Sequence, residues 1–239
     1  MFDSTQLFIF LLSIPAVLLT LILHEVSHGY AAYRLGDPTA KVMGRLSLNP
    51  LRHLDPFGTL CMLLFRFGWA KPVPVNTRYF KKPRRDMALT AAAGPLFNLI
   101  IGTVALFFSA FAWKYAVHLY VSAAPDIWYR ILNWTAIFFY LLFSMNIGLA
   151  VFNLIPIPPL DGSRILTLIL PPKLYVKFLQ YERYISLALT VLLILDLYVG
   201  FGFVSQLMTL VKNGLAELVG MIPYFESIAY FLTNPVIFR

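Results

Sequence analysis

The chain has 239 residues, 59% of them hydrophobic and 13% charged, with a net charge of +8, whereas soluble domains run at roughly 45–50% apolar and about 25% charged. That excess of apolar residues excludes an ordinary soluble domain. The single cysteine, Cys61, excludes an internal disulfide and a thiolate metal cluster, and the positive charge is grouped between apolar runs rather than laid out as a nucleic-acid patch.

Four apolar runs follow in chain order: Leu7–Leu23, Met87–Trp113, Trp134–Pro159 and Tyr184–Val204. Each is close to the ~20 residues that a helix rising 1.5 Å per residue needs to cross ~30 Å of hydrocarbon. The first run has no basic flank before it and leads into His-Glu rather than a small-residue cleavage site, so it is expected to stay in the mature protein. Of the 19 basic residues, eleven lie between Arg34 and Arg85 and four between Arg164 and Arg183. Fifteen on one side mark that side as cytoplasmic. The chain then starts outside, and Lys114–Asn133 is expected to be an external loop.

Between the first two runs, Pro50, Pro56, Pro72 and Pro74 interrupt helices, and Pro-Val-Pro-Val favours extended backbone. The apolar stretch Phe57–Phe67 is too short to span. It is expected to dip into the membrane or lie on it, packed over a cavity that satisfies its amides. Beyond Val211, Gly214, Gly220 and Pro223 break up the tail. The reading is an all-α polytopic membrane protein with about four to six transmembrane helices and an irregular, partly extended membrane-associated loop after the first. It forms a single domain over residues 1–239, with a core over about 7–204, a basic cytoplasmic or re-entrant loop over 34–86 and a poorly defined tail over 205–239.

The chemistry lies at the end of the first run, in His24-Glu25-Val26-Ser27-His28. At ~100° per residue, positions i and i+4 share a helix face, so both imidazoles can bind one metal ion while Glu25 serves as general base. Zinc suits imidazole. Ionisable groups at the end of a membrane helix are costly and normally functional. The bland alternative is two histidines bonded to a neighbouring helix.

A catalytic zinc takes a third protein ligand. Asp161 follows the third run in Asn153-Leu154-Ile155-Pro156-Ile157-Pro158-Pro159-Leu160-Asp161-Gly162 and enters the same side as His28. Asp196, the acid inside the fourth run, lies about 18 Å from Tyr184 towards the other side, at the wrong depth. Asp161 is the better ligand, although an Asp-Gly pair also commonly caps a helix. Asn98 and Asn153 read either as interhelical glue or as substrate and oxyanion contacts, with Asn153 leaning to the second because it precedes a Pro-broken helix end. His53 and His118 lack a partner at helical spacing and read as packing or interfacial residues.

The segments His24–His28, Gly94-Pro95-Leu96-Phe97-Asn98 and Asn153–Gly162 resemble the three signature motifs of the site-2 protease family of intramembrane zinc metalloproteases. Gly44–Pro50, Asp55–Thr59 and Trp69–Asn76 resemble its compact prokaryotic branch, which lacks an inserted PDZ domain. The resemblance implies one Zn²⁺ per chain on His24, His28 and Asp161, the base Glu25, and a polar role for Asn153 near the scissile carbonyl. With the apolar runs and the charge distribution, a multi-pass protein of the cell membrane is expected, with its site near the cytoplasmic side. Its partners are expected to be the lipid bilayer and a transmembrane protein substrate, with no nucleic acid and the oligomeric state left open. Trp69–Asn76 is expected to pair with an unwound substrate as an added strand. Two other classes are a metal-ion transporter, which lacks its usual repeat symmetry here, and a catalytically silent scaffold, which the intact Glu25 opposes.

Overall fold

The computed structural model describes residues 4–58, 71–122, 127–199 and 202–218. Most of them are helical: α1 (Ser4–Arg34), the single turn α2 (Thr39–Val42), α3 (Pro83–Ser122), α4 (Ile127–Leu154), α5 (Asp161–Ile169), α6 (Pro172–Val199) and α7 (Phe203–Leu218). Two 3₁₀ turns, Pro50–Arg52 and Thr77–Tyr79, are also present, and residues 71–76, with Pro72 and Pro74, are not helical. Among the described residues α1, α3 and α4 are long and apolar enough to cross a membrane. The chain is an all-α polytopic membrane protein. The fourth expected run, Tyr184–Val204, begins within α6 and continues past its end. Cys61, Asp126 and the expected segments beyond Gly58 and Leu218 lie outside the described residues.

Two boundaries differ from expectation. Lys114–Asn133 is not one long loop, because α3 continues to Ser122 and α4 begins at Ile127. A lone Lys114 or Arg130 does not stop a helix, and no strong breaker occurs before Pro125. The third run closes earlier, at Leu154, since Pro156, Pro158 and Pro159 cannot continue a helix.

The chain divides into two compact units. The first comprises Met1–Thr20, Leu99–Gly148 and Gln206–Arg239. Here Ala112, Trp113 and Ala136 pack together with Leu132 and Tyr140 against them. The Ser109 hydroxyl donates to Ala136 O at 2.9 Å, and the Asn146 amide donates to Thr20 Oγ1 at 2.8 Å. Small residues that let helices approach, with hydrogen bonds across them, are how helices associate where apolar burial alone gives no gain over lipid.

The second unit comprises Leu21–Asn98 and Leu149–Ser205 and carries all the proposed site residues. Its non-helical stretch 71–76 is tied down at several points. Lys71 N–H donates to His53 O at 2.7 Å and Asn76 N–H to Asp37 Oδ2 at 2.7 Å. The Arg45 guanidinium reaches Pro72 O at 3.3 Å. Asp37 is fully buried just past the end of α1, and its other oxygen accepts from the Thr39 amide and hydroxyl.

Candidate metal centre

The helix α1 runs unbroken past His24 and His28 to Arg34 and therefore carries both histidines on one face, as their spacing requires. Both are buried. Their Nε2 atoms lie 3.1 Å apart. Asp161, the first residue of α5, brings Oδ2 to 3.2 Å from each of them. The N-cap of α5 is Leu160, with no side-chain cap, so the Asp161 carboxylate faces the imidazoles and is not spent on capping. Glycine at 162 is needed behind it, because a Cβ there would collide with the carbonyls of Leu154 and Ile155.

The neighbouring groups shape this triangle. His28 Nδ1 lies 2.8 Å from Thr90 O. A carbonyl only accepts, so Nδ1 carries the proton and Nε2 presents a lone pair. Gly94, one turn beyond Thr90, lies against both imidazoles. A Cβ there would sit 2.7 Å from His24 Cε1 and closer still to His28, so only glycine lets α3 approach. Glu25 turns its Oε2 to the backbone N–H of Val73 at 2.8 Å.

These three residues form a group able to hold a metal ion. With zinc bonds of ~2.0–2.2 Å, tetrahedral ligand atoms stand about 3.3–3.5 Å apart, close to the 3.1–3.2 Å sides here. His24 Nδ1 and Asp161 Oδ2 are buried without a hydrogen-bond partner among the described residues. Convergence of a carboxylate oxygen on an imidazole lone pair is repulsive by itself and is relieved by a cation. The donor set fits zinc.

The other candidates are less closely engaged. Asn98 is fully buried, with neither side-chain polar atom partnered among the described residues. Asn153 donates to Leu149 O at 3.0 Å within its own helix. His53 is buried, its Nε2 2.7 Å from Ser47 O, a packing role as expected. The side chain of Asp196 lies outside the described residues. Thr90 entered the site without a sequence signal of its own, while Gly94 and Val73 were visible only as parts of motifs.

The profile of Peptidase family M50 matches residues 12–195. The chain belongs to peptidase family M50. Among relatives, it is similar to YwhC of Bacillus subtilis (strain 168), which bears zinc metalloprotease as a provisional name, at 41% identity over 77% of this chain and 82% of that one. Similarity to Rip2 of Mycobacterium tuberculosis (strain ATCC 25618 / H37Rv), also provisionally a zinc metalloprotease, is 29% over 92% of this chain and 82% of Rip2. The zinc metalloprotease MJ0392 of Methanocaldococcus jannaschii is 28% identical over 87% of this chain, which spans 46% of that longer protein. No solved structure matches. Family M50 is the site-2 protease family, so the chain is a membrane metalloprotease that acts on protein substrates.

Proposed function

We propose that this M50 member is an intramembrane zinc metalloendopeptidase, with one Zn²⁺ per chain, that hydrolyses peptide bonds of membrane-spanning proteins in regulated intramembrane proteolysis. The observation that carries the reading is the triangle of His24 Nε2, His28 Nε2 and Asp161 Oδ2, with sides of 3.1–3.2 Å, built on a helix apolar enough to span a membrane. The chain acts as a single membrane-embedded domain in the cell membrane. Its site lies near the cytoplasmic side, where fifteen of 19 basic residues fall between residues 34 and 85 and between 164 and 183.

His24, His28 and Asp161 are the residues that would hold the ion. When bound, zinc supplies Lewis acidity, polarising a carbonyl and lowering the pKa of water towards ~7. Thr90 keeps the His28 ring in the tautomer and orientation that present Nε2. Glu25, next to the ligands but outside their triangle, takes the proton of the attacking water and returns it to the leaving amine. Its Oε2 is engaged by Val73, which fixes the carboxylate plane and leaves Oε1 for proton transfer. Asn153, at the Pro-broken end of α4, is the donor towards the developing oxyanion. Asn98, a buried amide with spare donors and acceptors, contacts the unwound substrate.

Amides in an intact helix are hydrogen-bonded and covered, so a spanning substrate must unwind before attack. The non-helical stretch 71–76, already bonded to Glu25, is suitably close to receive it as an added strand.

The test is Glu25→Gln in the purified full chain, with a membrane-spanning substrate and bound zinc measured in parallel. Zinc content stays at the wild-type level while turnover falls about 10²–10⁴-fold, the range for loss of a general base. Turnover near wild type would remove Glu25 as the base. A protein that binds zinc and cleaves nothing in either form would be the silent scaffold or the transporter.

A further inference from the structure

The helix α5 is nine residues long, short enough to be marginal without tertiary support, yet its first residue is the third side of the metal triangle. Its opposite end is held by a residue that sequence reading counted only as one more cytoplasmic charge. The Arg84 guanidinium, in the first turn of α3, donates from one terminal nitrogen to both Thr167 O and Leu170 O, the latter at 2.8 Å. These are carbonyls at the C-terminal end of α5, which have no intrahelical donor and favour a cation. The same guanidinium lies 4.6 Å over the ring of Tyr175, at the start of α6. A cavity of about 270 Å³ lined by Thr77, Met87, Arg164 and Thr167 opens beside this junction. Arg164 of α5 also pairs with Glu182, but that contact ties α5 to α6 alone.

Arg84 therefore joins two elements that the metal centre needs in register. Six residues on from it, Thr90 O receives His28, and four residues further Gly94 meets both imidazoles. At the far end of α5, about 12 Å away along the helix axis, stands Asp161. We propose that Arg84 is a positioning residue for the metal centre: it latches the C-terminal end of α5 to the start of α3 and so holds Asp161 within reach of His24 and His28. It touches neither substrate nor the reacting atoms. The proposal rests on the reading of Asp161 as a ligand.

Lysine separates the latch from the charge, since an ammonium preserves the positive side of the membrane but loses the planar group that stacks on Tyr175 while bridging two carbonyls. The experiment measures zinc affinity by chelator competition in the purified full chain, for Arg84→Lys, Arg84→Gln and, as the control of equal charge loss at an exposed neighbour, Arg85→Gln. Both Arg84 variants bind zinc about 10–100-fold more weakly, the range for removal of a supporting group behind a ligand, and Arg85→Gln binds as wild type. In an Asp161→Asn background Arg84→Lys adds no further loss, because the ligand it positions is already impaired. Tyr175→Leu, which keeps both carbonyl bonds, weakens zinc binding in the same direction and serves if the Arg84 variants fail to fold. Wild-type zinc affinity in Asp161→Asn would overturn the ligand reading. Weakened binding there with wild-type affinity in the folded Arg84 or Tyr175 variants would overturn the latch, as would an equal loss from Arg84→Lys in both backgrounds.

Discussion

The backbone N–H of Val73 donates to Glu25 Oε2 at 2.8 Å across 48 residues of sequence. This bond joins the proline-rich stretch to the acid between the two histidines. Pro72 and Pro74 have no N–H, so alternate positions of the stretch offer no donor and Val73 lies on the edge that does. Val73→Pro deletes this donor. We expect kcat/KM to fall about 10–100-fold, as for other supporting contacts around a metal site, with bound zinc unchanged and Val73→Ala close to wild type. Equal activity in Val73→Pro would show that Glu25 is oriented by something else.

Gly94 gives a steric prediction. Added to Gly94, a methyl group meets the His24 and His28 rings, whereas at Gly214 it meets nothing within 4 Å. Gly94→Ala should lower zinc affinity at least about tenfold together with activity, because the imidazoles must turn or α3 must retreat. Gly214→Ala should behave as wild type. Equilibrium dialysis with zinc, followed by metal analysis of the protein, checks both. A fully loaded Gly94→Ala protein would mean that α3 yields without moving the ligands.

How much of this was legible in the sequence depends on the range of the interaction. His24 and His28 are four residues apart on one helix, so helical periodicity alone brings them together. Asp161 was reached by depth along apolar runs, a coarse ruler. The bonds from His28 to Thr90, from Val73 to Glu25 and from Arg84 to Leu170 close over 62, 48 and 86 residues. No local pattern announces them. Charge also misled: Lys114 and Arg130 marked a loop in a reading by polarity, yet both stand in helices. Likewise Pro95 lies inside α3, where a soluble-protein reading would have ended the helix.

Removal and replacement of the ion should be reversible. A strong chelator should abolish proteolysis and added zinc should restore it, while acid weakens zinc binding because protons compete for the ligands. Asp161→Asn should lower occupancy and activity together, since a neutral amide is a poorer ligand than a carboxylate. Its effect should exceed that of Asn153→Ala, which breaks only a bond to Leu149 O within α4 and should leave zinc in place while slowing turnover. Equal zinc occupancy in Asp161→Asn and wild type would return Asp196 to consideration as the third ligand.

Topology supplies the last test, because α1 and α5 can share an ion only if the loops following α1 and preceding α6 lie on one side. Lys82 and Lys173 are both exposed, and fifteen of 19 basic residues fall in the two stretches that contain them. Single cysteines at these two positions, in a Cys61→Ser background, should react with a membrane-impermeant reagent only when it is given from the cytoplasmic side. A cysteine at Asp126, between α3 and α4, should react only from the other side, since α3 is long and apolar enough to cross between them. Cysteines replacing His28 and Asp161, whose side-chain tips approach to 3.2 Å, should be joined by a short bis-thiol crosslinker or a thiophilic metal ion in the same background. Labelling of Lys82 and Lys173 from opposite faces would place the loops a membrane apart, and the ligand triangle could not then assemble in the bilayer.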